Sequence, residues 1–185
     1  MGNIKVHEFT TLDSVITAPT WSFGYGFDPR MGEALGAIMS TCQAILLGRT
    51  TYEMFYPAWS QRSADDDPGA PFFNDTVKYV VSGTMTEAPW RNSVLLGGYD
   101  PAAIAEVKRK TDGDIYVSGS GTLARALLAD GLVDELHLIT YPLTLGSGPR
   151  LFTDGDQPAK FALTASQAYD NGAVYTCYRP VTDEG

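Results

Sequence analysis

Residues 114–131 read DIYVSGSGTLARALLADG, and this segment is the clearest indication of the fold class. Its β-branched and aromatic start predicts a strand over residues 114–118. A small, glycine-rich turn follows at residues 119–121, and the next segment predicts a helix over residues 122–130 that Gly131 closes. A strand, a tight turn and a helix in this order are the building unit of an α/β protein.

The same unit occurs earlier in the chain. Residues 44–47 are a short apolar run typical of a buried strand, and the turn Gly48-Arg49-Thr50-Thr51 follows directly. Aromatic residues then recur at helical spacing on the predicted next helix: Tyr52, Phe55, Tyr56 and Trp59. Pro57 is expected to end or kink that helix early. Two further helices are predicted where an Asp-Pro pair supplies a cap and a first helical residue, at Asp28-Pro29 and Asp100-Pro101.

The remaining strands complete the predicted sheet. They are expected over residues 3–10, 77–81, 94–96 and 136–141. The tail differs, because residues 161–169 and 173–179 surround Asp170-Asn171-Gly172, a hairpin signal. We therefore predict a three-layer α/β fold whose central sheet is mostly parallel and carries a C-terminal antiparallel hairpin, formed by one domain over residues 1–185.

Composition limits the function. The chain has 185 residues, 44% apolar, and a net charge of -9 with a pI near 4.5. Its average field repels phosphate backbones and anionic lipid, which disfavours nucleic acid and membranes as partners. Cys42 and Cys177 are expected to be buried thiols, and no metal is expected because neither lies in metal-type spacing. The N-terminus lacks a basic segment followed by an apolar one, so a cytoplasmic location is expected.

Three predicted strands end in small turns rich in hydrogen-bond donors: residues 48–51, 82–84 and 119–122. In an open α/β sheet the carboxyl ends of the strands line one edge, so these turns should converge there. Two of the turns lead into helices, whose free N–H groups favour an anion, and Arg49 adds a charge suited to phosphate. Taken alone, the third turn is equally typical of a plain strand-to-helix connection. A classical Rossmann domain is disfavoured, because the following strand ends at Thr140-Tyr141 without an acidic residue.

The order of these segments resembles the dihydrofolate reductase-like superfamily, most closely the bacterial branch that includes the C-terminal reductase domain of riboflavin biosynthesis proteins. The resemblance extends over nearly the whole chain. It is carried by residues 46–53 (LLGRTTYE), 80–84 (VVSGT), 119–127 (GSGTLARAL), 131–136 (GLVDEL) and 142–148 (PLTLGSG).

The resemblance implies that NADPH lies along the strand ends. On that pattern Gly48, Arg49, Thr50 and Thr51 hold the adenosine-side phosphates, with Arg49 at the 2′-phosphate. Ser82, Gly83 and Thr84 are expected beside the adenine ribose. The pyrophosphate is expected in a cradle formed by Gly119, Ser120, Gly121, Thr122 and Leu123. The nicotinamide then reaches the exit of the first strand, where Thr11, Leu12, Asp13, Trp21 and the first helix line a substrate pocket.

The substrate cannot be carried over from the family. The segment Thr11-Leu12-Asp13-Ser14-Val15 lacks the glycine and the basic residue of the riboflavin-pathway reductases, and no deaminase domain precedes it. Asp13 is the first candidate for a proton donor or for a substrate hydrogen bond. The alternative is that its side chain only forms an Asx turn that ends the strand. Glu33 lies near the position at which true dihydrofolate reductases place a substrate-binding carboxylate on the first helix. The alternative is a solvated residue whose charge complements the helix dipole. His7 and His137 are expected to be structural.

Two classes of function remain open. The first is an NADPH-dependent reductase acting on a small planar heterocycle, pterin- or pyrimidine-like, that stacks on Trp21 or Tyr52. The second is a non-catalytic nucleotide-binding or ligand-sensing module. Residues 17–27, aromatic residues among chain breakers, suit a binding loop or a packed loop equally. A homodimer is also expected, through the apolar edges of residues 136–148 and of the terminal hairpin.

Overall fold

The computed structural model describes residues 1–17 and 19–181. Residue 18 of the predicted 17–27 loop and residues 182–185 of the predicted domain lie outside these ranges. The strands are β1 (Ile4–Thr11), β2 (Cys42–Gly48), β3 (Val77–Val81), β4 (Ser93–Gly97), β5 (Asp114–Ser118), β6 (Glu135–Tyr141), β7 (Lys160–Ala168) and β8 (Val174–Val181). The helices are α1 (Pro29–Ser40), α2 (Arg49–Trp59), α3 (Ala70–Asp75), α4 (Pro101–Lys110) and α5 (Gly121–Ala129), with a 3-10 helix at Pro19–Tyr25.

All eight strands form one sheet in the order β4-β3-β2-β5-β1-β6-β8-β7. The strands from β4 to β6 pair in parallel, and β8 and β7 add the antiparallel hairpin. The chain leaves β1 towards β2 and leaves β5 towards β6, so the two connections depart in opposite directions. The crevice between β5 and β1 is therefore the switch point at which α/β sheets bind ligands.

Helices cover both faces of the sheet. On one face α4 and α5 pack Ile104, Leu123 and Leu127 against strand residues such as Val6 and Val117. The opposite face is covered by α1, α2 and α3, through residues such as Ile38, Tyr52 and Phe73. The predicted three-layer α/β fold with its C-terminal hairpin is confirmed. None of the helices in the described ranges has the length and apolar character of a membrane span.

Two local predictions differ from the structure. Pro57 lies inside α2, which continues to Trp59. The last turn is held because Trp59 stacks on Phe73 with ring centroids 4.3 Å apart. Helix α3 was not predicted, because its six residues are too few for a helical period. Its Asn74 side chain donates to the carbonyls of Trp59 and Arg62, which ties α3 to the end of α2.

Candidate active site

Two of the predicted turns interlock where β2 and β5 end. The Gly48 N–H donates to Ser120 Oγ at 2.9 Å, and the Ser120 N–H donates to Thr51 Oγ1 at 2.8 Å. Gly119 and Ser120 both have left-handed backbones, with φ of 58° and 59°. A Cβ at Gly119 would lie 3.1 Å from Thr51 Oγ1, so this turn needs a glycine. The convergence predicted from the strand order is thus present.

The third turn joins the same edge through Arg49. Arg49 Nη1 donates to Thr84 Oγ1 at 3.2 Å, and Ser82 Oγ accepts the N–H groups of Thr84 and Met85 at 3.3 and 3.0 Å. An open groove of about 380 Å³ lies beside these residues and is lined by Arg49, Tyr56, Thr84, Met85 and Pro89, among others. Arg49 is half exposed and its Nε is 3.8 Å from Glu53 Oε1. Its guanidinium is therefore accessible to an anion.

Helices α2 and α5, which begin at this edge, differ from α1 and α4 in how their N-termini are capped. In α1 and α4 the carboxylates of Asp28 and Asp100 accept N–H groups of the first turn. Neither α2 nor α5 has such a side-chain cap. Ser120 occupies the cap position of α5, but its hydroxyl is turned to Gly48. The positive ends of both helices are therefore left for another acceptor.

The opening amides of α5 belong to Gly121, Thr122 and Leu123. They precede Ala124, whose N–H reaches Ser120 O at 2.9 Å. These amides, the threonine hydroxyls and the Arg49 guanidinium form a donor set that fits a diphosphate with a further phosphate nearby. The residues present thus fit an NADPH-type ligand. Gly121 has a packing role as well, because a Cβ there would collide with Ile16 Cδ1.

Asp13, the first candidate for a proton donor or a substrate hydrogen bond, lies in a network of hydrogen bonds at the exit of β1. Its carboxylate accepts the Thr11 hydroxyl at 2.5 Å and the N–H groups of Gly146 and Leu145 at 2.8 and 3.2 Å. These hydrogen bonds, the Thr11 one foremost, lower the pKa of Asp13 to about 2. An acid this strong holds no proton near neutral pH. Asp13 instead fastens the loop after β1 to the loop after β6.

Glu33 is exposed to solvent, and Tyr52 is largely buried behind the Arg49 groove, which it helps to line. Glu33 is exposed on α1, two residues from both Met31 and Leu35, which puts it about 200° around the helix from them. It therefore lies opposite the face that packs on the sheet. Tyr52 is 2% exposed in the core, where its hydroxyl accepts the Trp90 N–H at 2.8 Å. Its ring packs against Tyr56 and Trp90, so it offers no free face for stacking.

The other predicted substrate residues lie around the exit of β1. Thr11 is buried and its hydroxyl also accepts the Val15 N–H at 3.0 Å, so it shapes the loop. Leu12 is exposed. Trp21 lies in the 3-10 helix, edge-on to Tyr141 with centroids 5.4 Å apart, and its indole Nε1 is buried without a partner in the described residues. Of the predicted set, Trp21 is the aromatic residue that lines this region.

The sequence analysis missed Glu8, a buried carboxyl near the centre of the sheet. Its side chain is on the α5 face of β1, and its Oε1 has no hydrogen-bond partner among the described residues. Burial raises the pKa of Glu8 to about 8, against the opposing effect of the Arg125 charge. The signal available in the sequence was an acidic residue in the middle of an otherwise buried strand.

At the opposite edge of the sheet, Glu135, His137 and Cys177 bring ligand-type atoms within 4.8 Å of one another. Arg179 contacts Glu135 at 2.7 Å and Lys5 lies 3.7 Å from it. The positive charges of Arg179 and Lys5 disfavour the binding of a metal cation here. Together with Glu135 and His137 they form an ion-pair network that links β1, β6 and β8. His137 Nδ1 is paired with the Tyr175 hydroxyl and His7 Nδ1 with that of Tyr116, whereas His7 Nε2 is buried without a partner among the described residues.

With this geometry in place, comparison with known proteins is informative. The RibD C-terminal domain family matches residues 3–175. The chain belongs to this family. The uncharacterized protein YyaP of Bacillus subtilis is 26% identical over 157 residues, which cover 82% of this chain and 80% of YyaP.

Solved structures show how widely the fold is shared. A protein of Shewanella sp. PV-4 with a provisional riboflavin-biosynthesis name is 23% identical, with a TM-score of 0.80 over 98% of this chain and 100% of that one. Dihydrofolate reductase of Enterococcus faecalis, solved with NADP(H), is 15% identical, with a TM-score of 0.64 over 98% of each chain. This RibD C-terminal domain protein therefore has the dihydrofolate reductase-like fold.

Proposed function

We propose that the protein is an NADPH-dependent reductase that transfers hydride to a small planar heterocycle of the pterin or pyrimidine class. The observation that carries the proposal is the pair of uncapped helix starts at one sheet edge, with Arg49 beside them. Family membership and the NADP(H)-bound dihydrofolate reductase of the same fold support it.

The chain's own residues would bind and orient the cofactor, which supplies the hydride. The amides of Gly121, Thr122 and Leu123 would hold the pyrophosphate, and Gly48, Thr50 and Thr51 would border the adenosine-side phosphates. Arg49 pairs with the 2′-phosphate, while Ser82, Gly83 and Thr84 border the adenine ribose. The nicotinamide end then lies towards β1, on the far side of α5 from Arg49.

The substrate is expected on the α1 side of β1. Phe9, Trp21 and Tyr25 surround Tyr141 there, each with its ring centroid 5.4 to 6.1 Å from that of Tyr141. Aromatic faces and edges of this kind suit a planar ring. Because its hydrogen bonds lower the pKa of Asp13, we expect the proton that completes the reduction to come from another source.

A non-catalytic ligand-binding module is the second candidate. It is favoured by the placement of the two predicted catalytic carboxylates: Asp13 fastens loops together and Glu33 faces solvent. A module of this kind would keep the cofactor cradle without the means to reduce a substrate.

Steady-state NADPH oxidation over a panel of pterins, pyrimidines, flavin precursors and quinones, run beside an NADPH binding titration, separates these candidates. Turnover with any planar heterocycle, reduced by Arg49→Ala, supports the reductase. Binding without turnover across the panel supports the module. Absence of NADPH binding contradicts the reductase and a nucleotide-binding module, and favours a module that senses another ligand.

We also propose that the protein is a homodimer formed through the terminal hairpin. The other predicted edge, at residues 136–148, is not free along β6, because β6 pairs with β1 on one side and with β8 on the other. Strand β7 is the edge of the sheet and is exposed along almost its whole length. Leu163, Val174 and Val181 are 56, 40 and 44% exposed, an apolar surface that a second copy would cover. Light scattering at micromolar concentration should give twice the chain mass, and a monomer would contradict the proposal.

A further inference from the structure

Glu8 lies level with the Gly119-Ser120 turn, which is part of the proposed pyrophosphate site. In the pairing of β1 with β5, the last residue of β5, Ser118, lies opposite His7. Glu8 is therefore the first residue of β1 beyond the end of β5, level with the Gly119-Ser120 turn. On its other side β1 continues to pair with β6, where Glu8 lies opposite Leu138. Glu8 thus borders the crevice between β5 and β1.

The surroundings of Glu8 are apolar. Strand alternation puts it on the same face as Val6, in the layer that α5 covers. Ile16, from the loop after β1, packs in that layer together with Val117 and Leu138. The same Ile16 touches α5 at Gly121, so the loop lies between this layer and the start of α5.

Few charges act on Glu8. From α5 the charge is Arg125, whose Nη1 and Nη2 donate to Arg150 O and Thr122 Oγ1 at 2.6 and 3.4 Å. On β5 the titratable group is Tyr116. Burial raises the pKa of Tyr116, and the Glu8 charge raises it further by a smaller amount. Leu138 is the neighbour from β6. Within the described residues no ion pair or hydrogen bond holds the Glu8 carboxyl.

A buried carboxyl without a partner costs stability, and a leucine or valine would fill the same layer without that cost. The cost is offset where the group acts on a bound ligand. Along the sheet edge the order is the Arg49 groove at β2 and β3, the α5 amides at β5, and then Glu8 at β1. A cofactor with its 2′-phosphate at Arg49 and its pyrophosphate at α5 has its redox ring at this third position.

Hydride transfer changes the charge of that ring from neutral to positive. We propose that Glu8 is the carboxyl that responds to the nicotinamide charge: protonated beside the neutral reduced ring and ionised beside the positive oxidised ring. This inference rests on the proposed function. It implies that binding of NADP+ releases a proton from Glu8 to solvent, and that binding of NADPH leaves the proton in place.

The test measures Kd for NADP+ and for NADPH from about pH 6 to pH 9 and takes their ratio, in which the titration of the shared 2′-phosphate cancels. An opposite charge nearby lowers a carboxyl pKa by about 1–3 units. The affinity for NADP+ should therefore increase, relative to the affinity for NADPH, by at least about tenfold as pH rises. Glu8→Gln keeps the shape and removes the charge, and its ratio should stay flat. Glu106→Gln, which removes a partly exposed carboxylate of α4, should behave as the wild type.

A second measurement needs no variant. Calorimetric titrations of the wild type near pH 7 in buffers of different ionisation enthalpy should show proton release with NADP+ and little with NADPH. A flat ratio in the wild type, or the same slope in Glu8→Gln, would overturn the role of Glu8 while cofactor binding stands. Failure of both cofactors to bind would overturn the proposed function and this inference together.

Discussion

Arg49→Ala is the perturbation that tests the cofactor assignment at a single side chain. A charged hydrogen bond to a phosphate contributes about 1.5–3 kcal/mol. To reach the 2′-phosphate, Arg49 must relinquish Thr84 at 3.2 Å and its exposed pairing with Glu53 at 3.8 Å. Such surface pairs contribute about 0.2–1 kcal/mol. The net loss is about 1–2 kcal/mol, so Kd for NADPH should rise about 5–30-fold.

The assay is a fluorescence titration with NADPH and, separately, NADH, which lacks the 2′-phosphate. The NADH affinity should change by less than about twofold, because the lost contact serves only the extra phosphate. Arg109→Ala is the matched control: Arg109 is an exposed arginine that pairs with an acidic residue of its own helix, Glu106, at 2.6 Å. It should leave both affinities unchanged.

An Arg49→Ala protein that binds NADPH as tightly as the parent would refute the assignment of the 2′-phosphate to Arg49. Equal weakening of NADPH and NADH would refute it too, since the guanidinium would then act on a phosphate common to both.

Three further predictions concern the framework. Tyr52→Phe leaves the buried backbone N–H of Trp90 without its acceptor. Urea unfolding should therefore show a loss of about 1–3 kcal/mol in the free energy of unfolding, with NADPH affinity unchanged. A loss of NADPH affinity without a loss of stability would indicate that Tyr52 contacts the ligand. Gly119→Ala forces an alanine to φ 58° and should lower the free energy of unfolding by about 1–2 kcal/mol; an unchanged urea midpoint would contradict this. Glu8 has a folded-state pKa raised from 4.5 to about 8, so the folded state holds the extra proton between these values. The free energy of unfolding should therefore fall as pH rises through this window, by up to about 1.4 kcal/mol per pH unit, and a slope that persists in Glu8→Gln would show that another group is responsible.

Sequence reasoning predicted the fold because its signals are local and repeated. Asp-Pro pairs, glycine-ended strands and the Asp170-Asn171-Gly172 hairpin each specify one element, and alternating strands and helices specify a parallel sheet. The convergence of the turns followed because parallel strands must end at one edge. Helix α3 and the continuation of α2 past Pro57 depend on the packing of Trp59 on Phe73, which the one-dimensional pattern does not contain.

The surroundings of a side chain are harder to predict from sequence than the backbone of a turn. Helix amides and glycine turns have their geometry built into the strand-turn-helix unit, whereas a carboxylate's role depends on what the rest of the chain brings to it. Asp13 meets the amides of Leu145 and Gly146, more than 130 residues away, and these bonds keep it ionised. Glu8 stands out in the sequence as an acidic residue within a buried strand, but strands and helices from distant segments form the apolar layer that encloses it. Neither environment is visible along the sequence.

The most direct test of the central claim, that the uncapped turns of one sheet edge hold NADPH, is a calorimetric titration of the purified protein with NADPH and with NADH. The account predicts binding of one NADPH per chain, with a preference over NADH set by Arg49. No heat of binding with either cofactor would contradict it.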